Sequence, residues 1–218
     1  LKTRIAINKI HFPVTTLGFG RRIGVWTQGC SIRCPGCINR DTWHNDGSYY
    51  IDIASLCHAI TQWLQQSDGV TISGGEPFDQ PAALHELLKQ LRARSDGDIL
   101  VYSGYTHRKL LAEFQDIISS IDVLITEPFD ANAPQTLNLR GSDNQRVFLL
   151  TELARRRYSP DLDRQPWPNE RRMDVAIEGD AVFLAGIPSA GMTKRLREEL
   201  AGRGFDCKTS EQKTIVRA

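Results

Sequence analysis

A chain of 218 residues with 40% hydrophobic and 24% charged residues has the composition of a globular protein long enough to bury a full core. Its net charge of +1 gives no overall pull toward nucleic acid or an anionic membrane, and no apolar run approaches the ~18 residues of a membrane helix. Five cysteines are too few and too odd in number for a small secreted disulfide scaffold, and no signal-peptide pattern precedes them. Closely set, unpaired cysteines fit a reducing compartment, so a cytoplasmic protein is expected. The chain opens at Leu1, which leaves room for a start residue or short leader upstream.

In chain order, Arg22–Gln28 reads as a strand running straight into Gly29-Cys30-Ser31-Ile32-Arg33-Cys34-Pro35-Gly36-Cys37. The C-x₃-C-x₂-C spacing puts three thiols on one Gly- and Pro-bent loop, a set that suits a single iron–sulfur cluster. A 4Fe–4S cube held this way keeps one iron open to a small molecule. A closed zinc site is the alternative, with His44 as its fourth ligand. Within residues 1–50, Lys2, Arg4, Lys9, Arg21, Arg22, Arg33 and Arg40 face only Asp41 and Asp46, a local charge of +5. That charge would offset a thiolate-bound cluster or draw an anionic partner; a solvated basic face is the plainer reading.

The stripe Ile53, Leu56, Cys57, Ile60 and Leu64 has helical spacing, which makes Cys57 a small core residue. Val70–Ser73 is a short buried strand ending in Gly74-Gly75-Glu76-Pro77. Asp79 or Gln80 caps the next helix, with Pro81 in its first turn and Leu84, Leu87, Leu88 and Leu91 facing inward. Ile99–Ser103 is another strand, and Thr106 caps a helix carrying Leu110, Phe114, Ile117 and Ile118. Asp122–Ile125 is the next strand. Repeated βα units imply a parallel sheet with right-handed crossovers, and ligands gather at the C-terminal ends of such strands. Cys30–Cys37, Gly74–Pro77, Ser103–Tyr105 and Thr126–Pro128 all follow a strand directly, so they are expected to line one mouth.

The periodicity stops between Arg155 and Arg172, where a run of arginines precedes Pro160, Pro166 and Pro168 and suggests an exposed connection. Beyond it, strands near Met173–Ile177 and Ala181–Ala185 flank a turn at Glu178-Gly179-Asp180. A charged helix near Met192–Arg203 and a polar strand near Thr214–Val216 complete the chain. The expected division is a core domain at 1–154, a linker at 155–170 and a small α+β appendage at 171–218. Cys207 stands apart from the other cysteines, either a free thiol or a distant fourth ligand.

With these motifs in place, the chain resembles the radical S-adenosylmethionine enzymes. The resemblance rests on C-x₃-C-x₂-C after the first barrel strand and Gly74-Gly75-Glu76-Pro77 after the next. Within that family it is closest to the activating enzymes of glycyl-radical proteins, the group that serves anaerobic ribonucleotide reductase and pyruvate formate-lyase. Val25-Trp26-Thr27-Gln28-Gly29-Cys30, Cys34 to Trp43, Ile121–Ile125 and Leu139–Arg146 carry the similarity, which covers about residues 5–150. One departure falls at Ile125-Thr126-Glu127, where the reductase activators usually carry Val-Asp-Gly.

The resemblance implies an α/β fold, a partial (β/α)₆ barrel of the radical S-adenosylmethionine type. It implies a 4Fe–4S cluster on Cys30, Cys34 and Cys37, and S-adenosylmethionine as second cofactor. Reductive cleavage to a 5′-deoxyadenosyl radical would then take a hydrogen atom from the substrate. Backbone at Gly36 and Ile38 would touch adenine, and Gly74, Gly75 and Glu76 would meet the methionyl amino group. Ser103 and Thr126 would bond ribose hydroxyls or the carboxylate, or else are satisfied loop groups. Arg140, Asn144 and Arg146 would hold the cofactor carboxylate or a partner's backbone, or simply tie down their loop. Trp26 and Trp43 would shield the cluster loop. The implied partners are a glycyl-radical enzyme and an electron donor such as flavodoxin or ferredoxin, with no role for membrane or nucleic acid. No side chain is singled out as an acid or base. Two other readings remain at the sequence level: the same chemistry on a small molecule, nucleotide or peptide, and a non-catalytic iron–sulfur carrier or sensor.

Overall fold

The computed structural model of the chain describes residues 2–167, 171–179 and 181–206. Strands β1 (Arg4–Val14), β2 (Arg22–Thr27), β3 (Tyr50–Asp52), β4 (Gly69–Gly74), β5 (Asp98–Tyr102), β6 (Val123–Thr126) and β7 (Arg146–Leu149) form one sheet in the order β3-β1-β2-β4-β5-β6-β7. The centre, β2-β4-β5-β6, is parallel, while β1, β3 and β7 add antiparallel edges. The fold is therefore mixed α/β with a mostly parallel sheet. All six residues of β2 and all four of β6 are buried, as expected of strands covered on both faces.

Helices α1 (Ile53–Ala59), α2 (Thr61–Leu64), α3 (Pro81–Arg92), α4 (His107–Glu113) and α5 (Gln115–Ile118) cover one face. There, Ile23, Val25, Ile72, Val101 and Leu124 pack against the leucines of α3 and against Leu56, Cys57, Leu110 and Ile117. The stripe expected as one helix from Ile53 to Leu64 is broken at Ile60, where the Thr61 hydroxyl bonds back to the Cys57 carbonyl at 3.0 Å. The helix expected after Thr106 divides likewise at Phe114. In both, the apolar stripe still points inward, so burial survives the break.

The lower end of the parallel strands is held by a buried charge network. Arg22 and Asp98, both 0% exposed, pair at 2.8 Å, and Thr71 accepts from Arg22 Nε at 2.6 Å. Arg157 and the Tyr158 hydroxyl reach the same carboxylate at 2.7 and 3.0 Å. Arg157 ends helix α6 (Glu152–Arg157), and Tyr158 and Leu162 are buried against Leu100, Val123 and Ile125. The first half of the stretch expected as an exposed connection thus packs on the sheet face opposite the helices. Its arginines hid the fact, because one of them is a network member.

The hairpin β8 (Met173–Glu178) and β9 (Ala181–Gly186) lies on that same face. Phe183 meets Trp26 edge-on at 5.0 Å, and Asp174 accepts hydrogen bonds from the backbone and hydroxyls of Thr15 and Thr16. Trp26 is therefore packed beneath the hairpin and does not shield the cysteine loop. Helix α7 (Met192–Gly202) follows. Pro168, Asp180, Cys207 and the strand expected near Thr214–Val216 lie outside the described residues. Among the described residues no helix is long and apolar enough to cross a membrane.

Candidate iron–sulfur site

Each of the four segments expected at one mouth follows the upper end of a parallel strand, and hydrogen bonds tie them together. The cysteine loop leaves β2 and closes on itself: Gly29 N–H bonds the Thr42 carbonyl at 2.7 Å and Cys30 N–H the Trp43 carbonyl at 3.2 Å. The buried Gln28 amide stitches the loop's far limb, donating to Asp41 at 3.0 Å and to the His44 carbonyl. Cys30, Cys34 and Cys37 are half-buried free thiols, and Cys57 is fully buried.

Peptide N–H groups converge on the sulfurs: Ile32 and Arg33 on Cys30, Phe129 on Cys34, Asn39 on Cys37. The Trp43 indole N–H also faces Cys37, and no carbonyl or hydroxyl receives it. Burial nevertheless pushes all three thiols above their ordinary range. Among the described residues no three His, Cys, Asp or Glu side chains gather tightly enough to hold a single metal ion. A cluster places each thiolate on a different iron and takes a wider set. Three thiols ringed by N–H donors suit that group, since hydrogen bonds to the sulfurs are part of how proteins hold clusters.

The Gly74–Pro77 turn presses against this loop. A Cβ on Gly74 would stand 2.5 Å from Thr27 N, and one on Gly75 2.1 Å from the Gly29 carbonyl, so only glycine fits. The closeness is used, because Gly75 N–H bonds Thr27 O at 2.9 Å and Glu76 N–H bonds Gly29 O at 2.8 Å. The Glu76 carboxylate points inward and accepts from Phe78 N at 3.0 Å, Ser103 Oγ at 2.9 Å and Gly104 N at 2.7 Å. Burial outweighs these donors and raises its pKa to about 7.

Ser103 also accepts from Tyr105 N at 3.1 Å, and the buried Thr126 hydroxyl reaches Glu127 Oε1 at 3.4 Å. Both have local partners. Gly36 lies against Phe129 and Ala131, and Ile38 lies between Cys37 and the Thr42 turn. Arg140 is buried, bonded to Asp163 and the Gln145 carbonyl; Arg146 pairs with Asp163, and Asn144 bonds the Pro128 carbonyl. All three side chains make hydrogen bonds within the protein.

Sequence reasoning missed several site residues. Of the two residues expected to cap α3, Gln80 takes the cap position, and Asp79 reaches Ser31 of the cysteine loop and Tyr105, a role the sequence reading did not suggest. Glu127 adopts φ 78°, rare for a side-chain-bearing residue, and caps the α4 N-terminus through His107 N at 2.9 Å. The signal for Asp79 was its place two residues after Gly74-Gly75-Glu76-Pro77.

Residues 16–148 match the family model described as a 4Fe-4S single cluster domain. The anaerobic ribonucleoside-triphosphate reductase-activating protein of Escherichia coli K12 is 32% identical over 150 residues, covering 64% of this chain and 96% of that protein. The protein of the same name from Enterobacteria phage T4 is 30% identical over 149 residues, covering 62% and 88%. Among solved structures, QueE from Escherichia coli aligns at a TM-score of 0.40 with 21% identity, over 48% of this chain and 54% of that one.

Proposed function

The chain belongs to the family of anaerobic ribonucleoside-triphosphate reductase-activating proteins, and from that premise we propose that it installs a glycyl radical on a partner reductase. The observation that carries this reading is identity of 32% along 96% of the Escherichia coli relative, with the cysteine loop at the upper end of a parallel strand. Its cofactors are one 4Fe–4S cluster and S-adenosylmethionine. Bound together, they supply a 5′-deoxyadenosyl radical, able to take a hydrogen atom from a glycine Cα.

The chain's own residues then have defined tasks. Cys30, Cys34 and Cys37 hold the cluster, and the surrounding N–H groups of Ile32, Arg33, Phe129, Asn39 and Trp43 steady their sulfurs. Gly74 and Gly75 bring backbone against the loop, where S-adenosylmethionine would be received beside Gly36 and Ile38. Glu76 acts there mainly from within: three of its roughly four lone-pair directions are already filled, so it shapes the turn and leaves one direction for an ammonium. Ser103 and Thr126 line the same rim.

The coarse α/β sheet is read as the open core of a partial (β/α)₆ barrel. The division into a core at 1–154, a linker at 155–170 and an appendage at 171–218 belongs to the same proposal, with Tyr158 and Leu162 of the linker packed on the core. Packing of the hairpin on the inner sheet face, held low at Thr15 and Thr16, supports a protein loop as substrate. Free thiols support a cytoplasmic setting and an electron donor such as flavodoxin or ferredoxin.

The reading is tested by anaerobic reconstitution with iron and sulfide, reduction by dithionite and addition of S-adenosylmethionine. Formation of 5′-deoxyadenosine and methionine that disappears in Cys34→Ala is the expected result. An intact cluster with no cleavage, even beside the reductase, would overturn it.

A further inference from the structure

We propose that Asp79 is a positioning residue for the cysteine loop, holding Ser31 so that the Cys30 sulfur is set from both sides. The inference rests on the reading of that loop as the cluster site.

The 3₁₀ turn Pro77–Asp79 directly follows Glu76, and its last residue turns its carboxylate across the mouth. One oxygen, Oδ2, accepts the Ser31 backbone N–H at 2.7 Å, and Oδ1 accepts the Ser31 hydroxyl at 2.9 Å. The Tyr105 hydroxyl donates to the same Oδ1 at 2.6 Å and stands 3.2 Å from Ser31 Oγ, closing a triangle. Tyr105 is itself held in place, stacked on Phe114 with the Lys109 ammonium 3.6 Å from its ring centroid.

On the other side of Cys30, the Gly29 carbonyl accepts the Glu76 N–H at 2.8 Å. Residues immediately before and after Cys30 are thus bound to one short turn, residues 76–79, which is fixed to β4. Bonds from a carboxylate to N–H and O–H donors are the stronger kind, so this clamp resists the loosening that an exposed loop would otherwise undergo. A cluster ligand needs its sulfur direction fixed more than its burial, and the clamp supplies that direction.

The full-length chain, its Asp79→Ala form and its Tyr105→Phe form would be reconstituted anaerobically. Three quantities are compared: the rate of cluster loss to an iron chelator, the EPR spectrum of the dithionite-reduced cluster, and thermal melting. Asp79→Ala should lose its cluster on the order of ten-fold faster and shift the EPR g-values, as expected for the loss of a few hydrogen bonds. Tyr105→Phe, which keeps both Ser31 bonds, should fall between. A wild-type loss rate and spectrum in Asp79→Ala would overturn the inference while leaving the cluster reading intact. If Asp79→Ala melts too low to load, Asp79→Asn decides by the same two readouts. Its neutral amide removes the charge that strengthens both Ser31 bonds, and its nitrogen can only donate, so the Ser31 hydroxyl must turn to accept, all at constant volume. A wild-type chain that takes up no cluster overturns the cluster reading and this inference together.

Discussion

At the scale of single residues, Glu76 shows how one carboxylate can be structural and titratable at once. Its pKa of about 7 lies above the ordinary 4.5, so the folded state binds this proton more tightly than the unfolded chain does. Its contribution to stability is therefore full below pH 4.5 and is lost as pH rises through about 7. Urea unfolding of the metal-free protein at a series of pH values should show that loss, and Glu76→Gln should flatten the slope. An identical slope in the variant would assign the dependence to other groups. Trp43 makes a second case. Removing its indole N–H in Trp43→Phe is expected to move the cluster's reduction potential to a more negative value, because donors to the sulfurs favour the reduced form. A redox titration followed by EPR measures this, and an unchanged potential would show that the N–H does not act on Cys37. Neither role was legible in the sequence. The three cysteines announced themselves by spacing, whereas the inward turn of Glu76 depends on Ser103 and Gly104, 27 and 28 residues away.

Among the secondary-structure elements, the upper ends of β2 and β4 meet with their backbones in close approach. Gly75→Ala would drive a methyl group to within 2.1 Å of the Gly29 carbonyl, and backbone cannot swing away as a side chain would. We expect a cost of about 1–3 kcal/mol from such overpacking, read by urea unfolding, together with weaker cluster retention. Substituting Gly202 at the end of α7, where a Cβ meets nothing within 4 Å and φ is not positive, gives the comparison. The parallel core could be read in advance because β2, β4, β5 and β6 are short, apolar and each followed by turn chemistry. The antiparallel edges escaped notice for a physical reason. Strand β1 is half-exposed and its pairing with β2 shifts register twice, so no clean alternation survives in its sequence. The breaks at Ile60 and Phe114 escaped for the converse reason, since burial keeps the helical spacing on both sides of each break.

In the molecule as a whole, the sheet is covered by helices α1 to α5 on one face and by Ala154, Tyr158, Leu162 and the hairpin β8–β9 on the other. The hairpin's hold on the core runs through Asp174, which gathers the backbone and hydroxyls of Thr15 and Thr16. Asp174→Ala should free residues 171–186 to proteases while the parallel core keeps its melting temperature. Loss of both together would mean that the hairpin and core unfold as one unit. The lower network is the opposite kind of joint. Arg22→Met would leave the buried Asp98 with only Arg157 and Tyr158, and a loss of about 3 kcal/mol is expected in urea unfolding. The half-buried thiols carry one more consequence. Because burial holds Cys30, Cys34 and Cys37 in their protonated forms, each must give up a proton before it can bind iron. Assembly of the centre is thus an acid-releasing event, and each pH unit of acidification opposes it by up to about ten-fold per thiol.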